Sequence, residues 1–104
     1  MGSSIAYLEF IMDQLSLLDD VDYKAMMGEF IIHYKGKIVG GIYDDRFLVK
    51  PTKSAKKLMP DASLELPYEG ANKMLMVDEV EDREFLENLL NAMVSELPEP
   101  KKKK

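Results

Sequence analysis

Cysteine and tryptophan are absent from the 104 residues, and His33 is the one histidine. Without thiols there is no disulfide framework, no thiolate metal cage and no sulfur nucleophile. A single imidazole excludes any site that needs two. No apolar run approaches the roughly 18 residues of a membrane span. The opening Met1-Gly2-Ser3-Ser4 lacks the basic-then-apolar layout of a secretory leader, so a cytoplasmic protein is expected. Phosphate-binding glycine motifs are also missing: the glycines between Gly36 and Gly41 form neither GxGxxG nor a P-loop. Asp19-Asp20-Val21-Asp22 has the acidity of a calcium loop but not the glycine at the sixth position or the closing glutamate. No nucleophile–base pair or elbow serine accompanies His33, which reads as a structural histidine on a strand. No enzyme, cofactor or metal is therefore expected.

What is present describes one small globular domain. Hydrophobic residues make up 46% of the chain and charged residues 32%, too apolar for a disordered protein. The net charge is −5, from 14 basic and 19 acidic residues. Setting aside Lys101–Lys104 leaves 10 basic residues against the same 19 acidic ones, so the rest of the chain carries −9. Such a body repels phosphate, and direct binding of DNA by the domain surface is not expected. Residues 1–97 read as the domain and 98–104 as a disordered Pro/Lys tail. That tail reads as a solubilising end, the alternative being contact with nucleic acid or an acidic partner.

Periodicity supplies the elements. Ile5, Leu8, Met12 and Leu15 recur at helical spacing over Ser4–Leu18, with Ser3 or Ser4 as cap. Asp19, Asp20 and Asp22 end that helix. From Tyr23 the period changes to two: strands are expected at Phe30–Tyr34, Ile38–Tyr43 and Arg46–Lys50. They are joined by turns at Gly36 and at Asp44-Asp45, in an antiparallel meander. Gly40-Gly41 inside the second strand signals a bulge or a close backbone approach. A short helix over Thr52–Met59, strands at Ser63–Leu66 and Lys73–Val77, and a helix over Glu79–Glu96 complete the chain. The fold class is α+β, a two-layer arrangement in the order helix, three strands, helix, two strands, helix, with the helices on one side of the sheet. Tyr68 to Asn72 has only the composition of a turn. Of Met26 and Met27, adjacent in a strand, one belongs in the core and the other at a partner surface.

The run from Met26 to Lys50 resembles the N-terminal domain of the TfoX/Sxy proteins. The matching positions are Met26 and Gly28, the turn glycine Gly36, the Asp44-Asp45 pair, and Lys50 closing the third strand. The order of elements over residues 5 to 97 follows the family as well. Met27 stands where the family has phenylalanine, and Lys73-Met74-Leu75-Met76-Val77 replaces its usual Met-Pro-Tyr. No counterpart of the C-terminal domain of the full-length regulators occurs in these residues, so a stand-alone domain is expected. The resemblance implies a regulator of competence that acts with the transcription machinery rather than as a catalyst, and a fold like that of secretion chaperones.

The expected function is thus a non-enzymatic protein-interaction module with a protein partner. Met26, Met27, Gly28, Gly36, Asp44, Asp45 and Lys50 are its candidate residues. The alternative is a small-ligand binder or enzyme with a pocket between sheet and helices, using His33, Tyr34 or Lys50. A homodimer is expected under either reading. Ile31 and Leu48 make both faces of their strands apolar, and a second copy would cover the spare face.

Overall fold

A computed structural model describes residues 3–26 and 28–97. Met27 and the expected tail, 98–104, lie outside the described residues. Among the described residues the chain forms three helices and a six-stranded antiparallel sheet. The order is α1 (Ile5–Gln14), β1 (Val21–Met26), β2 (Glu29–Tyr34), β3 (Lys37–Ile42), β4 (Phe47–Val49), α2 (Lys53–Leu58), β5 (Leu64–Glu65), β6 (Met74–Met76) and α3 (Arg83–Val94). Across the sheet the strands run β1-β2-β3-β4-β6-β5.

The α+β order holds, with one strand more than expected before α2. The acidic residues expected to end the first helix lead directly into the extra strand. Asp20 turns the backbone at φ 67°, and the chain enters β1, paired with β2 from Val21↔Tyr34 to Met26↔Glu29. Aspartate tolerates this left-handed conformation better than most residues. β1 escapes a hydrophobicity-based reading because it is an edge strand, exposed from Asp22 to Met26. The helices are also shorter than their apolar stripes. α1 stops at Gln14, with Leu15 as C-cap, although Leu15 is buried. α3 begins at Arg83, and Asp82 caps it by accepting from the Phe85 N–H at 3.0 Å. The helix was expected from Glu79, but Asp78, Glu79 and Glu81 precede it and Glu84 is the acidic residue of its first turn.

Two hairpins are tight for a local reason. Lys35 and Gly36 take φ 54° and 81°, and Asp44 and Asp45 take 56° and 57°. Two successive positive φ values match the right-handed twist of the strands they join. Register slips once, between Ile32↔Gly40 and His33↔Ile38, so Val39 is a bulge residue. The expected close approach at Gly40-Gly41 is also present. A Cβ on Gly40 would lie 2.0 Å from the Leu48 carbonyl oxygen and 2.7 Å from the Val49 Cα. Only glycine lets β3 and β4 come together there.

One core joins the layers. Phe30, Ile32, Tyr34, Ile42, Phe47, Val49, Leu75 and Val77 from the sheet meet Leu8, Ile11, Leu15, Ala55, Leu86, Leu89, Leu90 and Met93. All three helices contribute to this cluster, which places them on one side of the sheet, as expected. Polar contacts fix the helices to one another and to the sheet. Tyr34 donates its hydroxyl to Asn91 at 2.5 Å, and Lys37 donates to the Val94 carbonyl at the end of α3. Arg83 at the start of α3 reaches Asp13 at 2.7 Å, beside the end of α1.

Candidate interaction surface on the outer face of the sheet

Strand alternation gives the sheet a second face, turned away from the helices. Ile31, His33, Ile38, Gly41, Tyr43, Leu48, Met74 and Met76 belong to it by parity and register. Leu48 is 0% and Tyr43 7% exposed, yet neither belongs to the core cluster. Something other than the helices covers them.

That cover begins with Gly41. A Cβ there would meet the Phe30 carbonyl oxygen at 2.6 Å and the Tyr43 ring at 2.7 and 2.8 Å. The missing side chain is thus the space in which the Tyr43 ring lies, folded back along its own strand. Tyr68 packs on Tyr43, with ring centroids 6.0 Å apart and planes tilted by 56°. The segment carrying Tyr68 is pinned from two sides. Arg46 donates to the Leu66 carbonyl at 3.1 Å, and Pro67 is buried. Gly70 supplies a turn at φ 89°, with Ala71 N–H donating to the Tyr68 carbonyl. The stretch that reads as a plain turn is therefore a flap on the outer face.

On either side of the Tyr43–Tyr68 pair lies an apolar hollow. One, about 370 Å³, is lined by Met26, Glu29, Ile31, Tyr43 and Tyr68. The other, about 600 Å³, runs from Ile31 and Ile38 past Tyr43 and Lys50 to Pro67 and Met74. They share Ile31, Tyr43 and Tyr68, so together they make one groove across the face. Along it, Met26 is 45%, Ile38 41% and Tyr68 57% exposed. Burial, the Tyr68 phenol and the Glu29 carboxylate, in that order, push the Tyr43 phenol above its ordinary pKa of 10.0.

The groove is anchored at the Asp44-Asp45 turn. Glu29 accepts from the Ser3 hydroxyl at 2.7 Å and from the Asp44 N–H at 3.1 Å. Asp45 accepts from the Ser4 N–H at 2.8 Å, while its own N–H donates to the Ser3 hydroxyl at 3.1 Å. Ser4 then caps α1 by accepting from the Tyr7 N–H. A carboxylate at this helix start is also favoured by the macrodipole. Burial, followed by the charge of Asp45, pushes the Tyr7 phenol above its ordinary value.

The candidate residues divide accordingly. Met26, Gly28, Asp44 and Asp45 gather at one end of the sheet, where the Gly28 carbonyl accepts from Ser3 N–H at 2.9 Å and its φ is 85°. Met26 is exposed, and Met27 lies outside the described residues. Lys50 lines the groove, and its N–H continues the ladder to the Val39 carbonyl at 2.9 Å. Gly36 is at the opposite end of β2, in a hairpin turn. His33 and Tyr34 point to opposite faces of the sheet, His33 half-buried outside and Tyr34 in the core, so one pocket cannot use both. Among the described residues no group of three or more His, Asp or Glu is placed to hold a metal ion, and no helix is long and apolar enough to cross a membrane. Tyr43 and Tyr68 are the residues that sequence reasoning misses. The signal for Tyr43 is the glycine two positions before it on the same face; Tyr68 has no local signal.

Over 105 aligned positions the chain is 30% identical to an uncharacterized 12.7 kDa protein in the trpE 5′ region of Spirochaeta aurantia. The alignment covers all of this chain and 91% of that protein. The chain belongs to that protein's family. No protein-family model matches it, and no solved structure does.

Proposed function

We propose that this protein is a non-enzymatic protein-interaction module that receives a partner protein on the outer face of its sheet. The observation that carries this reading is the groove through Ile31, Tyr43 and Tyr68, bordered by exposed Met26 and Ile38 on the face the helices leave open. Monomers seldom expose contiguous apolar surface without a use for it. Tyrosine and methionine are also the side chains enriched at the centre of protein interfaces. The excess of acidic residues favours a protein partner over nucleic acid. In the finer form of the proposal, the module resembles the TfoX/Sxy N-terminal domain and serves as an accessory factor in transcriptional regulation in the cytoplasm. The resemblance in order from Met26 to Lys50 supports that form, as does the convergence of Met26, Gly28 and Asp44-Asp45 on one end of the groove.

The test is affinity capture from the native host with three baits: the parent chain, Ile38→Glu and Tyr68→Lys. One defined protein in stoichiometric amount with the parent, and depleted at least tenfold with both variants, is the expected result. Recovery that ignores both substitutions contradicts it. A thermal-shift screen of metabolites supplies the opposing outcome. A small ligand at 100 times its dissociation constant adds about 2.7 kcal/mol. A shift of that size, lost in Tyr43→Ala, would assign the groove to a small molecule instead.

A further inference from the structure

The sheet has two edges, and they are unlike. β5 ends it with two residues, Leu64 and Glu65, too short to template another strand. β1 ends it with six, Val21–Met26, of which Asp22 to Met26 are all exposed. Its backbone phase follows from one bond beyond the strand: the Lys35 N–H donates to the Asp20 carbonyl at 3.0 Å, in line with the register Val21↔Tyr34. Bonded positions alternate along an antiparallel ladder. Asp22, Lys24 and Met26 therefore turn their backbone groups to β2, while Val21, Tyr23 and Ala25 turn theirs to the free edge. An edge of this length lacking proline is a template for pairing.

We propose that its occupant is β1 of a second copy of this chain, paired antiparallel about a two-fold axis through Tyr23, so that the two sheets become one. The side chains select this register. Outward backbone groups meet outward backbone groups only if the axis passes through a residue. Through Tyr23, that residue faces its own copy and Val21 faces Ala25, which keeps all three outward residues in the ladder. Asp22 then lies opposite Lys24 of the second copy, and Lys24 opposite its Asp22, at the close, non-hydrogen-bonded positions where side chains are nearest. Moving the axis to Asp22 or to Lys24 would set like charges face to face. The strand is self-complementary in one register. This association uses the backbone edge of β1 and meets the groove only at Met26, which lines one end of it.

Light scattering on the full chain at tens of micromolar should give about twice the chain mass of 11.9 kDa. Asp22→Lys and Lys24→Asp each set like charges opposite one another twice, and should each weaken the dimer by at least about tenfold. The double variant D22K/K24D restores opposite charges and should restore the dimer, which separates loss of pairing from loss of folding. Because the chain contains no cysteine, the register can be read directly. Asp22→Cys and Lys24→Cys chains, oxidised separately, should stay largely uncrosslinked. Mixed, they should form a disulfide, since the facing Cα atoms are about 4.5 Å apart and within disulfide reach. A parent that stays at monomer mass overturns the proposal. So does a dimer that ignores both charge reversals and gives no crosslink in the mixture.

Discussion

Replacing Gly41 with alanine tests how the groove is built. The added Cβ would sit 2.6 Å from the Phe30 carbonyl oxygen, which is held in the β2–β3 ladder, and under 3 Å from the Tyr43 ring. The ring must leave, and because the strand cannot retreat without breaking that ladder, the carbonyl contact remains as backbone strain. Overpacking of this kind costs about 1–3 kcal/mol, and loss of the Tyr43–Tyr68 pair adds about 0.5–1.5 kcal/mol. Alanine in a strand returns roughly 0.5–1 kcal/mol through the unfolded chain. The balance is a loss of about 2 kcal/mol, which in a domain of this size lowers the melting temperature by roughly 8–16 °C. Calorimetry measures the shift. A titration of tyrosine absorbance reports the ring, because an expelled Tyr43 loses the burial that raises its pKa. A melting temperature within a degree or two of the parent, with the tyrosine titration unchanged, would refute the packing described for this face.

Three further outcomes follow from the same contacts. Asp45→Ala loses the bond from Ser4 N–H and leaves a Cβ residue at φ 57°, whereas Asp45→Gly loses only the bond; alanine should be the more destabilising by about 1 kcal/mol in urea unfolding. Tyr43 has a raised pKa, so its contribution to stability is complete below the ordinary value of 10.0 and is lost as pH rises through that value toward the folded one. Denaturation midpoints should therefore fall across that window, less steeply in Tyr43→Phe. Glu96 is held below the ordinary carboxyl range chiefly by the backbone N–H of Ser54, then by its hydroxyl. Its stabilising effect is present above the unfolded pKa and lost as pH falls through the lowered one. In a carboxyl titration by NMR, Ser54→Ala should move Glu96 part of the way back toward the other glutamates, because the backbone donor survives the change.

The central strands were legible because their rules are local. The β-branched and aromatic run Phe30–Tyr34, two-residue turns at Lys35-Gly36 and Asp44-Asp45, and the glycine pair in β3 each leave a mark in a few neighbouring residues. β1 was legible only in part: a period of two is read from Tyr23 and Met26 is placed in a strand, but its limits and pairing escape, because an edge strand buries little and Asp22 and Lys24 blur its pattern. The start of α1 was legible to within the choice between Ser3 and Ser4, which falls to Ser4, whereas α3 starts four residues later than expected because Asp82 is the carboxylate that accepts from its first turn. The outer face was half legible. Ile31 and Leu48 announce a second apolar face, but its cover comes from Tyr68, 25 residues after Tyr43 in sequence and brought over it by Arg46 and Pro67. No local pattern encodes a contact of that kind.

The claim that the open face of the sheet docks a protein is tested most directly by placing a photoreactive amino acid at Ile38 in the living host and, as control, at Lys57 on α2. The account predicts a discrete crosslinked protein from position 38, absent from position 57 and lost when Tyr68→Lys is added. Equal crosslinking from both positions, or none from position 38 in a folded and expressed chain, would contradict it.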